Sequence, residues 1–235
     1  MYLFLRLYLA HLIADFILQF DELYKLKVKS RWGHVLHVAI HFLTSVLFAA
    51  PFLKYPSVWI CLTGLTAAHY FQDELKYAVQ KNPKRMFVAF VTDQIVHFAV
   101  IGTVMVLPVS RLALGISDHP VLSAYYSSNP VVLLMILFVL ATFAGSYLLH
   151  AFRMSYFAQV SRPDHAITRF EMIHAMIERT LIAGLFLFSP GIGWLIASPL
   201  VGIPRLFSKK LRDKTDFLFS YIYAALLGFF FRWWF

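Results

Sequence analysis

Residues 9–19 read LAHLIADFILQ, an apolar run interrupted twice, by His11 and by Asp15. Four residues of helix bring the chain back to within roughly 40° of the same direction, one turn further on, so both side chains project from one face. An ionisable group in so apolar a run needs a partner, a cavity or a chemical task. The pattern recurs outward from there. His37 with His41, His69 with Asp73, and Asp93 with His97 repeat the spacing in the next three apolar runs, and His174 with Glu178 makes a fifth pair. A shuffled chain of this composition gives about one or two such pairs, so five is an excess that calls for an explanation.

The composition sets the medium. Of 235 residues, 60% are apolar, 17% aromatic and 14% charged, which is not the balance of a soluble domain. Apolar runs at 2–20, 33–53, 57–79, 86–108, 130–152, 170–189, 191–207 and 216–234 predict an all-α, polytopic transmembrane helical bundle of about seven to eight spans. The seventh run is short and holds Pro199 and Pro204, so it reads as a re-entrant or broken helix. Residues 1–108 are expected to form a four-helix core carrying the His/Asp groups. Residues 109–235 supply further transmembrane helices of the same membrane unit. The stretch 108–129, with Pro108, Gly115, Asp118 and Pro120, reads as the longest loop. The first run starts at Met1 without a basic segment and carries Arg6, His11 and Asp15, so a cleaved signal peptide is not expected. The single cysteine, Cys61, excludes an internal disulfide and every multi-cysteine metal scheme.

Net charge is +9, and its distribution describes topology. Lys25, Lys27, Lys29 and Arg31 follow the first run, Lys81, Lys84 and Arg85 the third, and Arg153, Arg162 and Arg169 the fifth, while Arg205, Lys209, Lys210, Arg212 and Lys214 precede the last. Basic connections alternate with nearly uncharged ones. The positive-inside rule makes the basic loops cytoplasmic and places both termini on the other side. Basic residues spread over four loops answer to lipid headgroups, so the bilayer is the expected partner and no nucleic acid is.

With that topology, Asp15, Asp73 and Asp93 each lie about seven residues from the inner ends of their runs, and His11, His69 and His97 about eleven, or roughly 10 and 16 Å deep. His41 falls at a similar level and His37 about a turn nearer the cytoplasm. One slab therefore collects His11, Asp15, His37, His41, His69, Asp73, Asp93 and His97. Any single pair is more simply a helix-to-helix contact. For the converging set, a divalent metal is the better reading, because three carboxylates held together repel unless a cation neutralises them. Mixed His and Asp ligation suits zinc first, with manganese or iron as alternatives, and eight donors allow one ion or two. Lys76, near the cytoplasmic end of its run, is placed to act in catalysis by binding a phosphate or anionic leaving group, and equally to snorkel to the headgroups. Gln19, Gln72 and Gln94 flank the motifs as orienting groups or helix contacts. Glu171, His174, Glu178 and Arg179 on the sixth run read as structural.

The segments LAHLIADFILQ (9–19), HYFQDELK (69–76) and DQIVH (93–97) resemble a bacterial and phage multi-pass membrane family termed domain of unknown function 3307. The resemblance covers about the first hundred residues, and IERTLI (177–182) is similar to a Glu-Arg pair of longer members. The stretch 196–206 departs from their pattern. The resemblance implies a multi-pass protein of a bacterial cytoplasmic membrane. The motifs are also similar in type to those of membrane-bound metal-dependent hydrolases.

The functional expectation is an intramembrane metal-dependent hydrolase acting on a lipid or phosphoester-type substrate near the cytoplasmic leaflet. A proton- or metal-coupled transporter using the same cluster is the first alternative, and a structural membrane protein without catalysis a further one. A bis-histidine haem ranks lower, since haem has no use for three carboxylates. These motifs assign no oligomeric state.

Overall fold

The computed structural model describes residues 1–79, 83–114, 120–156, 169–189, 192–207 and 214–235. The regular elements among them are all helical: α1 Tyr2–Phe16, α2 Asp21–Lys29, α3 Arg31–Phe48, α4 Pro56–Val79, α5 Met86–Gly102, α6 Pro120–Ser127, α7 Asn129–Val139, α8 Gly145–Tyr156, α9 Arg169–Phe188, α10 Gly193–Leu200, α11 Pro204–Phe207 and α12 Lys214–Arg232. Short 3-10 turns and one π-helical segment, Leu140–Ala144, complete them. Lys81, Gly115, Asp118, Arg162, Lys209, Lys210 and Arg212, named above, lie outside the described residues.

Each expected run is helical where described, but the number of helices fit to cross a bilayer is corrected. Among the described residues, two are long and apolar enough, Met86–Val106 and Asn129–Tyr156, while Phe217–Arg232 is apolar but shorter. The reasons are length and polarity. The 15 residues of α1 rise about 22 Å, short of a hydrocarbon core of about 30 Å. His34, His37 and His41 lower the hydropathy of α3, and Asp73, Glu74 and Lys76 that of α4. The seventh run is broken, as read from its prolines. Pro199 sits inside α10, which ends at Leu200, and Pro204 opens α11, each proline lacking the N–H that would continue the ladder.

Two connections expected to be loops are partly helical. The basic stretch after α1 forms α2, whose Leu23 is buried. The stretch 108–129 holds a 3-10 turn at Pro108–Arg111 and α6.

The chain divides into two units, Met1–Ile136 and Leu137–Phe235, the first extending beyond residue 108. Within the first, α1 packs on α3, α3 on α4 and α4 on α5, and α2 lies against α3. The interior combines apolar side chains such as Leu3, Leu9 and Leu12 with a polar cluster, while the outer face carries large apolar residues. His37 is 0% and Asp73 2% exposed, while Ile60 is 76%, Phe71 69% and Leu43 64% exposed. Arg6, fully buried, ties α1 to the α6–α7 junction: Nη1 donates to Asn129 Oδ1 at 2.7 Å and Nη2 to the Tyr126 carbonyl. The Tyr126 hydroxyl in turn donates to the carbonyl of Leu47 near the end of α3.

Gly33 decides where α2 sits. Ser30 caps α3, its Oγ accepting from the Gly33 N–H at 3.0 Å, and a Cβ on Gly33 would overlap the Leu26 carbonyl and stand 2.5 Å from Lys27 N. Backbone on backbone leaves no side chain to yield. Gly33→Ala is therefore expected to destabilise the first unit by about 1–3 kcal/mol and to loosen α2. A lower thermal midpoint in detergent, with faster proteolysis inside α2, is the check.

In the second unit, α9 and α12 pack closely because Gly228 lets α12 approach; a Cβ there would overlap the Ala183 carbonyl. The π segment frees carbonyls that other elements satisfy. Arg179 donates to Ala141 O at 2.6 Å and to Thr142 O at 3.0 Å, and the Tyr223 hydroxyl donates to Leu140 O at 2.9 Å. Glu178 is held by Arg205, whose Nε lies 2.8 and 3.0 Å from its two oxygens. These are structural contacts, in line with the reading of that run.

Candidate functional site

The i, i+4 spacing turns its polar pairs toward the helix interfaces of the first unit, and all eight His and Asp side chains of the predicted slab are buried. Asp15, His37, His41 and His69 bring ligand atoms within 4.8 Å of one another, as do His69, Asp73 and His97. Six of the eight thus fall into two groups that share His69. Contacts in the first group are short. His41 Nε2 lies 3.0 Å and His37 Nε2 3.3 Å from the same oxygen, Asp15 Oδ1, and the Nε2 atoms of His37 and His69 are 3.3 Å apart. Four donors placed tetrahedrally about 2.1 Å from one centre stand roughly 3.4 Å apart, so this spacing fits a small cation.

His97 shows a fixed tautomer. Its Nδ1 is 2.8 Å from the Asp93 backbone carbonyl, which can only accept, so Nδ1 carries the proton and Nε2 the lone pair. That Nε2 is buried and has no hydrogen-bond partner among the described residues, and His11 Nε2 is the same. Buried polar atoms are seldom left so. His11 stands 3.5 Å from Asp15 Oδ2, with its ring centroid 4.8 Å from that of His97. A cavity of about 30 Å³, lined by His11, His41, His69, His97 and Gln72 among others, adjoins these rings and has room for about two waters.

The electrostatics differ from the expected mutual repulsion of three carboxylates. Asp73 Oδ2 lies 2.7 Å from Lys27 Nζ, and Asp93 Oδ2 lies 2.7 Å from Lys76 Nζ. Asp15 meets no lysine or arginine: among the described residues its ion-pair contacts are the imidazoles of His11, His37 and His41. Asp93 stands in neither group; its carboxylate receives Lys76 and, at 3.1 Å, the amide of Gln94, while the same residue's carbonyl orients His97.

Two members of the site were not picked out by sequence reasoning. Lys27, read as a loop charge, is 6% exposed and also donates to Gln19 Oε1 at 3.1 Å. His34, near the start of the second apolar run, is buried, stacks on Tyr70 at 4.3 Å, and lies 2.8 Å from Glu74 Oε1 and 3.5 Å from Asp73 Oδ2. The available signal was Ser30 followed by Gly33, a capped helix start with a glycine where a second helix can close in.

The fold and site together define an all-helical protein with a buried His/Asp cluster able to hold a metal ion. Residues 3–120 match the family model described as Protein of unknown function (DUF3307), and the chain belongs to that family. The resemblance read from the three motifs is borne out, and all eight slab residues lie inside the matched stretch, whereas Glu178 and Arg179 lie outside it. No curated protein and no solved structure matches the chain.

Proposed function

We propose that this protein is an intramembrane metal-dependent hydrolase acting on a lipid or phosphoester-type substrate. The observation that carries the metal is Asp15, a buried carboxylate whose ion-pair contacts among the described residues are imidazoles rather than lysine or arginine. One divalent ion, zinc by its His/Asp ligand set with manganese or iron in the same chemical range, completes the charge at Asp15, His37, His41 and His69. The second group is poorer, because Lys27 already neutralises Asp73. Bound there, such an ion would acidify a water and polarise an acyl or phosphoryl oxygen. His11 and His97 border the cavity beside it, and His97 Nε2, with no hydrogen-bond partner among the described residues, is the proposed acceptor of a proton from that water. Lys76, held by Asp93, is the proposed catalytic cation for an anionic group.

The apolar outer face of the first unit, with Ile60, Leu43 and Phe71 exposed while histidine and aspartate are buried, supports a bilayer setting. The exposed Trp32, Trp233 and Trp234 suit a headgroup belt. The reading places the chain as a multi-pass protein of a bacterial cytoplasmic membrane, with the basic connections on the cytoplasmic side and both termini opposite. In it the shorter, polar-faced α1 and α4 are held in the bilayer by packing against the apolar α5.

A second reading has its own observation. The rings of His97, His11, His41, His69 and His37 form a chain with neighbouring centroids 3.8 to 5.3 Å apart, which suits proton relay in a coupled transporter. Metal analysis separates the two. Full-length protein purified in mild detergent with zinc present is expected to retain about one ion per chain and to show no haem absorbance. Protein that takes up no zinc, manganese or iron overturns the hydrolase reading in favour of the relay.

A further inference from the structure

The second cavity of the first unit lies apart from the imidazoles. It is a groove of about 520 Å³ between α4 and α5, within the range of small-molecule sites. Gln72, Leu75 and Lys76 on α4 share one face at helical spacing, and Val88, Ala89, Thr92, Asp93 and Val96 form the facing stripe on α5. Lys84 and Arg85, just before α5, close one end. The lining therefore carries three cations and one carboxylate, Asp93, which is paired with Lys76. Its walls are aliphatic, and Leu75 and Val88 are 69% and 57% exposed. Gln72 lines this groove and the imidazole cavity alike.

We infer that the α4–α5 groove seats an anionic phospholipid, its phosphodiester head on Lys84, Arg85 and Lys76 and an acyl chain along Leu75, Val88, Ala89 and Val96. Cations and aliphatic side chains line one channel, with Lys84 and Arg85 at one end, which matches an amphiphile with an acidic head rather than a fully polar metabolite. The α5 wall belongs to Met86–Val106, one of the two helices long and apolar enough to cross a membrane, so its outer face is the place where acyl chains are available. Gln72, common to both cavities, sets the groove beside the His/Asp cluster. As a binding site the groove stands alone; as the seat of a substrate it rests on the metal-dependent reading above.

The test titrates a fluorescent phosphatidylglycerol into the full chain in a nonionic detergent, with unlabelled phosphatidylglycerol, phosphatidylcholine and inorganic phosphate as competitors. Phosphatidylglycerol is expected to compete at least tenfold better than phosphatidylcholine, and phosphate not at all. Replacing Lys84 and Arg85 together by alanine weakens binding on the order of tenfold, and Ala89→Trp, which fills the channel without touching a charge, lowers the bound fraction at saturation. Equal competition by phosphatidylcholine, displacement by inorganic phosphate, wild-type binding in both variants, or a dimer that Ala89→Trp dissociates would each overturn the assignment. Metal content is measured on the same samples. Retained metal with no selective lipid binding removes the groove alone, and selective binding in metal-free protein removes the metal centre alone.

Discussion

His69→Ala is expected to abolish stoichiometric metal binding, because His69 is the member common to both ligand groups. Its Nε2 lies 3.3 Å from His37 Nε2 and 3.5 Å from Asp73 Oδ2, and His37 Nε2, 3.3 Å from Asp15 Oδ1 and 3.5 Å from Asp73 Oδ2, stands beside it between the two carboxylates. Loss of a partner that merely orients a ligand typically costs about 10–100-fold in metal affinity, and loss of a ligand should exceed that. His34→Ala provides the comparison. It removes an equally buried imidazole that stands in neither group, and is expected to leave the ion in place at an affinity within about 100-fold of the starting protein. Metal analysis after gel filtration reads both. Unchanged zinc in a monodisperse His69→Ala protein would sink the metal assignment, and equal loss in both variants would show that the cluster collapses as a unit.

The largest stability effect is expected at Arg179, which is 1% exposed and serves the π segment. Its guanidinium donates to two backbone carbonyls, Ala141 and Thr142, and to Ser146 Oγ at 2.6 Å, with Ser220 Oγ at 3.4 Å. Removing it strands buried acceptors, at about 1–3 kcal/mol each, so Arg179→Ala should destabilise the second unit by about 3–5 kcal/mol. Arg179→Lys keeps the charge but offers one nitrogen where the guanidinium offers three, and should recover only part of the loss. The thermal midpoint of the purified protein, compared across the three chains, decides the matter. A midpoint unchanged in Arg179→Ala would mean that the π segment satisfies its carbonyls without this side chain.

Much of the candidate site was legible because helices impose a rule that sequence obeys directly. Residues four apart share a face, so His11 with Asp15, His69 with Asp73 and Asp93 with His97 could be placed on interior faces without any knowledge of neighbours. Depth counting then brought four helices to one level. What it missed came from elements with no such periodicity: Lys27 looks like any loop lysine until α2 is known to be a helix lying on Gly33. It also mispriced the electrostatics, since Lys27 and Lys76 neutralise two of the three carboxylates.

The chain by itself determined the helical class, the broken seventh run with its two prolines, the family, and the list of buried histidines and aspartates, because local spacing and composition act through the chain's own geometry. Which carboxylate meets no lysine or arginine and which imidazole joins two ligand groups were decided only by tertiary structure. Distances between side chains on different helices depend on how those helices approach, and a single glycine at a backbone contact can set that approach.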